Sequence, residues 1–549
     1  MISGNIQTDI DWYLVMFGLE NLTLFDCASL GALVMMLPYG VVGTQKTNRS
    51  TYDVPTLVHE LTGRDSHITA TDNADGKSTP STPISCRPVF LAPFLPYHPP
   101  PLWLTKNRSS PTLLSRLQRI QPEMSALEEG LHLFPDRTAN PNSLTPEQAT
   151  IHMVKAMLGT GLLSLPLAFK HSGLYLGLLL LFVISGVCLF CMRQVVFAAH
   201  FVCSRTGRAT IDYANIMRGA VEAGPSWINR RGYFFKQVVN VNMFIAQLGF
   251  CCVYFVFMAD NLEDFFNVNT HIHLPKSIWM LIILIPILGI CSIRRLNILA
   301  PYAVAANIMY FGAIGIVLYF FFTNLQPIDS VPKVGNWRDL PLFFGTVMFA
   351  FEGVCVIMPI ENRMERPQQF IAWNGVLNFS CALVLAIFAT IGFYGYLAVG
   401  EGVHDTVTLD LPNEPFYQVI KLMFVACIMV SYPLQFYVPM ERAEKWITRK
   451  IVPTRQTLYI YSARFGCVVL TCLVAEIIPH LALFISMIGA FSGASLALIF
   501  PPCIDLLVNY SQRSLSWQVW AKNLFLLGFG LLGFTTGTYS ALSDIAKTL

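Results

Sequence analysis

From Ile151 onward the chain alternates between apolar runs about twenty residues long and short polar segments. About 20 helical residues cross a hydrocarbon layer about 30 Å thick. Eleven runs qualify, with approximate limits 151–171, 174–199, 236–259, 277–292, 299–323, 341–360, 371–399, 416–438, 458–478, 481–504 and 521–543. The fourth and ninth are the least distinct. The pattern predicts an all-α polytopic membrane protein with about 11 transmembrane helices.

Two runs are interrupted. Gly159-Thr160-Gly161 falls within the first, and Glu352-Gly353 within the sixth. Gly disfavours a helix interior by about 0.8–1 kcal/mol relative to Ala. A carboxylate at bilayer depth costs about 2.5–3.5 kcal/mol. Non-helical backbone is tolerated there only inside protein or along a polar cavity, so two breaks suggest a substrate site built from broken helices. Breaks in spans one and six fit two five-span halves in inverted orientation plus an eleventh span, although the halves share no convincing residue-by-residue identity.

In span one, Pro166 deprives the Leu162 carbonyl of its helical partner. Residues 162–170 can restart as a half-helix whose first N–H groups face the gap, a natural seat for an amino-acid carboxylate. The simpler reading is close packing through small residues. Glu352 reads as the only carboxylate near mid-depth in any span. It is a candidate protonation site, a partner for a substrate ammonium, or a neutral strut across the break. His152 lies seven residues before Gly159, with Lys155 one turn further in. Imidazole titrates near neutral pH and suits proton coupling; an interfacial His is the alternative. Gln237, Asn240, Phe244, Gln247, Cys251 and Tyr254 form a stripe at helical spacing in span three. It lines a pathway or bonds to neighbouring helices. Span eight offers Ser431, Tyr432 and Gln435, and span five Tyr302 and Asn307. Gly489 and Gly493, with Ser492 and Ser495, suggest close packing in span ten.

Charge orients the bundle. Arg205, Arg208, Arg218, Arg230, Arg231 and Lys236 fall in loop 200–236, and Arg442, Lys445, Arg449, Lys450 and Arg455 in loop 441–457. Arg294 and Arg295 occupy a short turn. The alternate loops 260–276 and 400–415 are acidic. The positive-inside rule places the segment before Ile151 in the cytoplasm. The domain expectation is a largely disordered tail over 1–146, rich in Pro, Ser, Thr and Asn, and a transport domain over 147–545. The apolar stretch 27–43 is short for a span and contains Gly31, Pro38 and Gly40. Met1–Glu20, without Lys or Arg, does not look like a secretory signal.

Composition narrows function by exclusion. Among 549 residues, 54% are hydrophobic and 13% charged, against about 25% charged in soluble domains. A net charge of +3 gives no reason to expect a nucleic-acid partner. Most of the 14 Cys lie in apolar runs, and no pair has zinc-type spacing flanked by other ligands. There is no P-loop, GxSxG or metal-ligand cluster. The protein is therefore not expected to be an enzyme or to need a cofactor, and transport would draw on an existing gradient.

Residues 151–166, IHMVKAMLGTGLLSLP, resemble the first span of the proton-coupled amino-acid transporters. So do residues 247–257 (QLGFCCVYFVF) in span three, Pro341–Thr346 leading to Phe351-Glu352-Gly353 and Met358-Pro359-Ile360-Glu361-Asn362 in span six, and residues 434–439 (LQFYVP) in span eight. The likeness runs over roughly 150–545. It implies a LeuT-type 5+5 inverted repeat with broken spans one and six. It also implies symport of small neutral amino acids (the alanine, glycine and proline class), with the proton as coupling ion, at a plasma membrane or a lysosomal or vacuolar membrane. The implied substrate site is Gly159, Thr160, Gly161, Phe351, Glu352 and Gly353, with Gln247 and Tyr432 as further candidates. His152, with Glu352, becomes the expected proton-coupling group. Membrane lipid and the amino acids are the expected partners, with cytosolic signalling partners if the chain is instead a lysosomal amino-acid sensor. A sodium-coupled or facilitative carrier of the same fold is the third reading. Two departures stand out. Lys155-Ala156-Met157 replaces the family's common Lys-Gly-Asn. The loops after spans three and seven lack the Cys residues that are paired in some animal members.

Overall fold

The computed structural model describes residues 143–548 except 271, 272, 295 and 479. Stretch 27–43 and nearly all of the tail lie outside these residues. Among the described residues, nine helices are long and apolar enough to cross a membrane. The 16-residue helix Lys276–Cys291 and the fragmented segment Pro146–Ser172 complete eleven spans. The others are Leu174–Thr206, Gly232–Asn269, Leu296–Thr323, the broken pair Leu340–Ala350 and Val354–Glu361, Val376–Val399, Pro415–Lys450, Pro453–Ile477, Leu481–Ser511 and Trp517–Thr548.

Local chemistry sets the boundaries. Thr145 and Gln148 form a reciprocal capping box at 3.4 and 3.3 Å, with Pro146 at the first helical position; this fixes where span one begins. Residues ahead of the helix are joined to the chain that follows span six. Leu144 donates to the Arg363 carbonyl at 2.7 Å, and its own carbonyl accepts from Glu365 at 3.2 Å. Span eight runs to Lys450, so most of the basic residues expected in loop 441–457 are helical. Glu441 and Lys445 pair one turn apart at 2.7 Å, which supports a helix continuing into water. The 200–236 connection contains an amphipathic helix, Tyr213–Ala223, capped by Asp212 and burying Ile216, Met217, Ala220 and Val221. Its three- and four-residue spacing was readable in the sequence.

The packing has a five-span exchange symmetry. Span three lies along eight, four against nine, one against six and two against seven. Span five packs on eight as ten packs on three, and two on ten as seven on five. Successive spans alternate in direction, so partners five positions apart run oppositely, as an inverted repeat requires.

Backbones approach closely between spans six and ten. A Cβ on Gly489 would fall 1.9 Å from the Gly345 carbonyl oxygen, and one on Gly345 would fall 2.3 Å from the Ser486 carbonyl oxygen. Glycine alone fits such crossings. Span ten relaxes into two π-helical turns beside this crossing, Gly489–Gly493 and Ser495–Ile499.

The end of span one remote from Pro146 is closed by loops. Gly173, at φ 82°, meets Gly335 so closely that a side chain on either would clash with backbone. Val407 donates to the Leu163 carbonyl at 2.9 Å, and Lys170 to the Glu401 carbonyl at 2.7 Å. In the same loop Asp410 accepts from the His404 backbone at 2.9 Å and faces its ring at 2.7 Å. Burial raises the Asp410 carboxyl above its ordinary range, and the His404 hydrogen bonds oppose that rise.

Candidate functional site

Span one leaves helical geometry at Leu158 and Gly159, both extended, and resumes as a four-residue turn, Thr160–Leu163, before Leu165–Ser172. The restart therefore begins at Thr160, earlier than the expected 162. Among the described residues no protein acceptor meets the N–H groups of Gly159, Thr160 or Gly161. The Gly159 carbonyl accepts the Tyr310 hydroxyl at 2.8 Å and the Leu162 N–H at 3.2 Å. A Cβ on Gly161 would lie 2.7 Å from the Ala350 Cα, so the two breaks touch backbone to backbone.

The second break spans Phe351–Gly353. The Gly353 N–H folds back onto the Phe351 carbonyl at 2.7 Å. Among the described residues the Ala350 carbonyl receives no backbone N–H. Glu352 is buried. One carboxylate oxygen faces Cys355 Sγ at 3.5 Å, and the other meets no donor among the described residues. Gly493, in the first π turn, adjoins that second oxygen: a Cβ there would lie in ordinary contact, 3.4 Å from it.

A cavity of about 30 Å³ lies between the breaks, bounded by Gly159, Thr160, Gly161, Ala350 and Glu352 and walled by Met157, Phe250, Tyr254 and Phe349. That is room for on the order of one or two waters. It adjoins a vestibule of about 420 Å³ that also reaches Gly159 and Glu352 and extends toward the side where span one begins. Gln247, Asn307, Tyr310 and Gln435 supply its polar wall, and His152, Lys155 and Arg363 also line it. His152 and Arg363 are exposed at its mouth.

Most of the expected residues converge here, with three corrections. Phe351 lines neither cavity; its ring is buried edge-on against Phe388, with centroids 4.8 Å apart. Two helical positions rotate a side chain by about 200°, so Phe349 holds the aromatic position instead. Tyr432 also lines neither cavity. It bonds Thr471 at 2.7 Å and packs on Phe255 and Phe436. Ser431 and Gln435 share the vestibule face, from which Tyr432 is turned by about 100°. Gly353 contributes backbone beneath Met157 rather than cavity surface.

In span five Asn307 lines the vestibule, whereas Tyr302 is 61% exposed. Tyr310 was missed, although it follows Asn307 by three residues and so shares its face. The span-three stripe divides: Gln247 and Tyr254 reach the cavity, while Gln237 and Asn240 bond near the helix start. Two further acids lie toward the ends of spans six and ten. Glu361, at the end of span six, is buried against His200 of span two, with Nε2 and Oε1 3.0 Å apart. The Asn362 side chain bonds both backbone groups of Ile211, at 3.2 and 2.7 Å. Asp505 is held by Gln194, Asn523 and Lys522 at 3.0, 2.7 and 3.4 Å.

Two interlocked five-span halves around facing helix breaks define an integral multi-pass membrane transporter. Residues 142–543 match the family described as transmembrane amino acid transporter protein, and the chain belongs to that family. It is an amino acid transporter, not an enzyme. It is 32% identical over 440 residues to the Drosophila melanogaster protein named proton-coupled amino acid transporter-like protein pathetic, covering 78% of this chain and 92% of that one. It is 25% identical over 453 residues to the Caenorhabditis elegans protein named Probable amino acid transporter skat-1, covering 79% and 97%. The solved structure of Mhp1, a nucleobase-cation-symport-1 family transporter in a closed conformation with bromovinylhydantoin bound, aligns over 76% of this chain and 96% of that one. Its TM-score is 0.44, at 15% identity.

Proposed function

We propose that this chain is a proton-driven symporter of small neutral amino acids, of the alanine, glycine and proline class, working by alternating access. One juxtaposition carries the reading. The unpaired N–H groups of Gly159, Thr160 and Gly161 and the open carboxylate oxygen of Glu352 border the same cavity. An amino acid has a carboxylate for the first set and an ammonium for the Ala350 carbonyl and Glu352. Phe349, Phe250 and Tyr254 enclose its side chain.

Glu352 takes up and releases the transported proton, and His152 at the vestibule mouth passes it to solvent. The name of the Drosophila relative supports proton coupling. The basic loops on the side where span one begins support a cytoplasmic tail and a vestibule facing the cytoplasm, in a plasma membrane or a lysosomal or vacuolar membrane.

The test is uptake of labelled alanine or proline into proteoliposomes with an acidic exterior. Proton-driven accumulation that collapses with an ionophore is expected. Uptake indifferent to a verified collapse of the pH gradient overturns proton coupling, and His152→Ala with an unchanged pH profile removes the role given to His152.

A further inference from the structure

We propose that Met157 is a specificity-determining residue that sets the upper size limit of the transported side chain by lying across the backbone of Gly353. The inference rests on the substrate site proposed above. Met157 is 2% exposed and lines the small cavity between the breaks. A Cβ on Gly353 would lie 3.1, 3.2 and 3.2 Å from Met157 Cε, Cγ and Sδ. Three successive atoms at nearly equal distance mean that the thioether lies flat along Gly353 instead of pointing at it. Met157 ends the first helix of span one, and Gly353 caps the second helix of span six. The contact therefore bridges the two broken spans.

Phe250, Tyr254, Glu352 and Gln435 also border the vestibule, whereas Met157, Thr160, Gly161, Phe349 and Ala350 line the small cavity alone. Gly159, Gly161, Thr160 and Ala350 carry no long side chain. Phe250 and Phe349 hold each other at a centroid distance of 4.6 Å, and Phe349 also lies 3.0 Å from a Cβ placed on Gly161. Methionine is unbranched, with three rotatable bonds. A cavity of about 30 Å³ holds no amino acid as it stands, and on the side away from the vestibule Met157 is the long unbranched side chain that can make room, by turning off Gly353. A methyl group asks for a small displacement and a branched four-carbon chain for a large one. That ranks alanine above leucine.

The experiment measures initial uptake of labelled alanine and leucine by the full-length protein in proteoliposomes. M157A should raise the leucine-to-alanine ratio at least tenfold, since one methylene of pocket space discriminates by about 10–200-fold. M157F should lower that ratio, and M157L, of similar bulk, should retain the preference for alanine. G353A puts a methyl group into the thioether and should reduce uptake; M157A/G353A should recover it. A purely structural Met157 would change total activity without moving the ratio. An M157A ratio within twofold of wild type, or a G353A defect that M157A does not relieve, overturns the proposal. If M157A does not fold by size-exclusion profile, M157V gives the same comparison. If the wild-type protein accumulates neither amino acid, the symport reading fails. The size limit is then read from thermal stabilisation of the detergent-solubilised protein by alanine against leucine, where an M157A preference equal to wild type overturns it.

Discussion

Tyr310→Phe removes one oxygen atom from the site while leaving the aromatic packing in place. That hydroxyl donates to the Gly159 carbonyl at 2.8 Å, across 151 residues of sequence. Without it the carbonyl keeps only the Leu162 N–H at 3.2 Å among the described residues. Orphaning a buried acceptor costs about 1–3 kcal/mol. Gly159 is half-buried and retains one donor, so the lower end applies, about 1–1.5 kcal/mol. At about 1.4 kcal/mol per tenfold, that predicts a five- to tenfold rise in KM for amino-acid uptake. Maximal rate should change less, because the bond positions the break rather than the proton groups. Kinetics in proteoliposomes, normalised to reconstituted protein, read the effect. Tyr302→Phe is the control, since Tyr302 is 61% exposed and touches neither cavity. A Tyr310→Phe KM within twofold of wild type would refute the claim that this bond preorganises the binding backbone.

Glu352→Gln should flatten the pH dependence of uptake while leaving substrate-induced thermal stabilisation detectable; a wild-type pH profile would exclude Glu352 as the proton carrier. Gly161→Ala drives a methyl group to 2.7 Å from the Ala350 Cα, and uptake should fall to background with the protein still inserted. His200→Ala removes the 3.0 Å contact between His200 Nε2 and Glu361 Oε1, and losing a buried hydrogen-bond partner costs about 1–3 kcal/mol. A drop in thermal midpoint is expected, and a midpoint equal to wild type would show that this contact does not hold spans two and six together. Burial raises Asp410, so the folded chain holds that proton more tightly than the unfolded chain. Its contribution to stability is largest in acid and is lost as pH rises through its titration. Asp410→Asn should flatten that slope in a thermal-melt series against pH.

The long elements were legible because bilayer thickness dictates their length, and the breaks because glycine and a carboxylate are anomalous inside an apolar helix. What stayed hidden depended on rotation about helix axes and on distant partners. Phe351 adjoins Glu352 in sequence, yet two helical steps turn it away from Phe349. Tyr432 sits between two vestibule residues and points at span nine. Tyr310 meets Gly159, and Glu361 meets His200, across sequence separations of 151 and 161 residues. No local pattern encodes such meetings. Met157 stood out only as a departure from a family pattern, and its role needed the contact with Gly353.

The two helices of span six are fastened to different neighbours. Leu340–Ala350 is locked to span ten where Gly345 and Gly489 leave no room between backbones. Val354–Glu361 is tied through Glu361 to His200, and its following residue through Asn362 to Ile211. One continuous rod cannot follow two anchors that turn relative to each other; a rod with a joint can. Any such turn is taken up at residues 351–353 and displaces Glu352 directly. In the proposed symport cycle the break is then a mechanical linkage as well as a socket, and the motion that opens or shuts the pathway and the exposure of its acid become one degree of freedom.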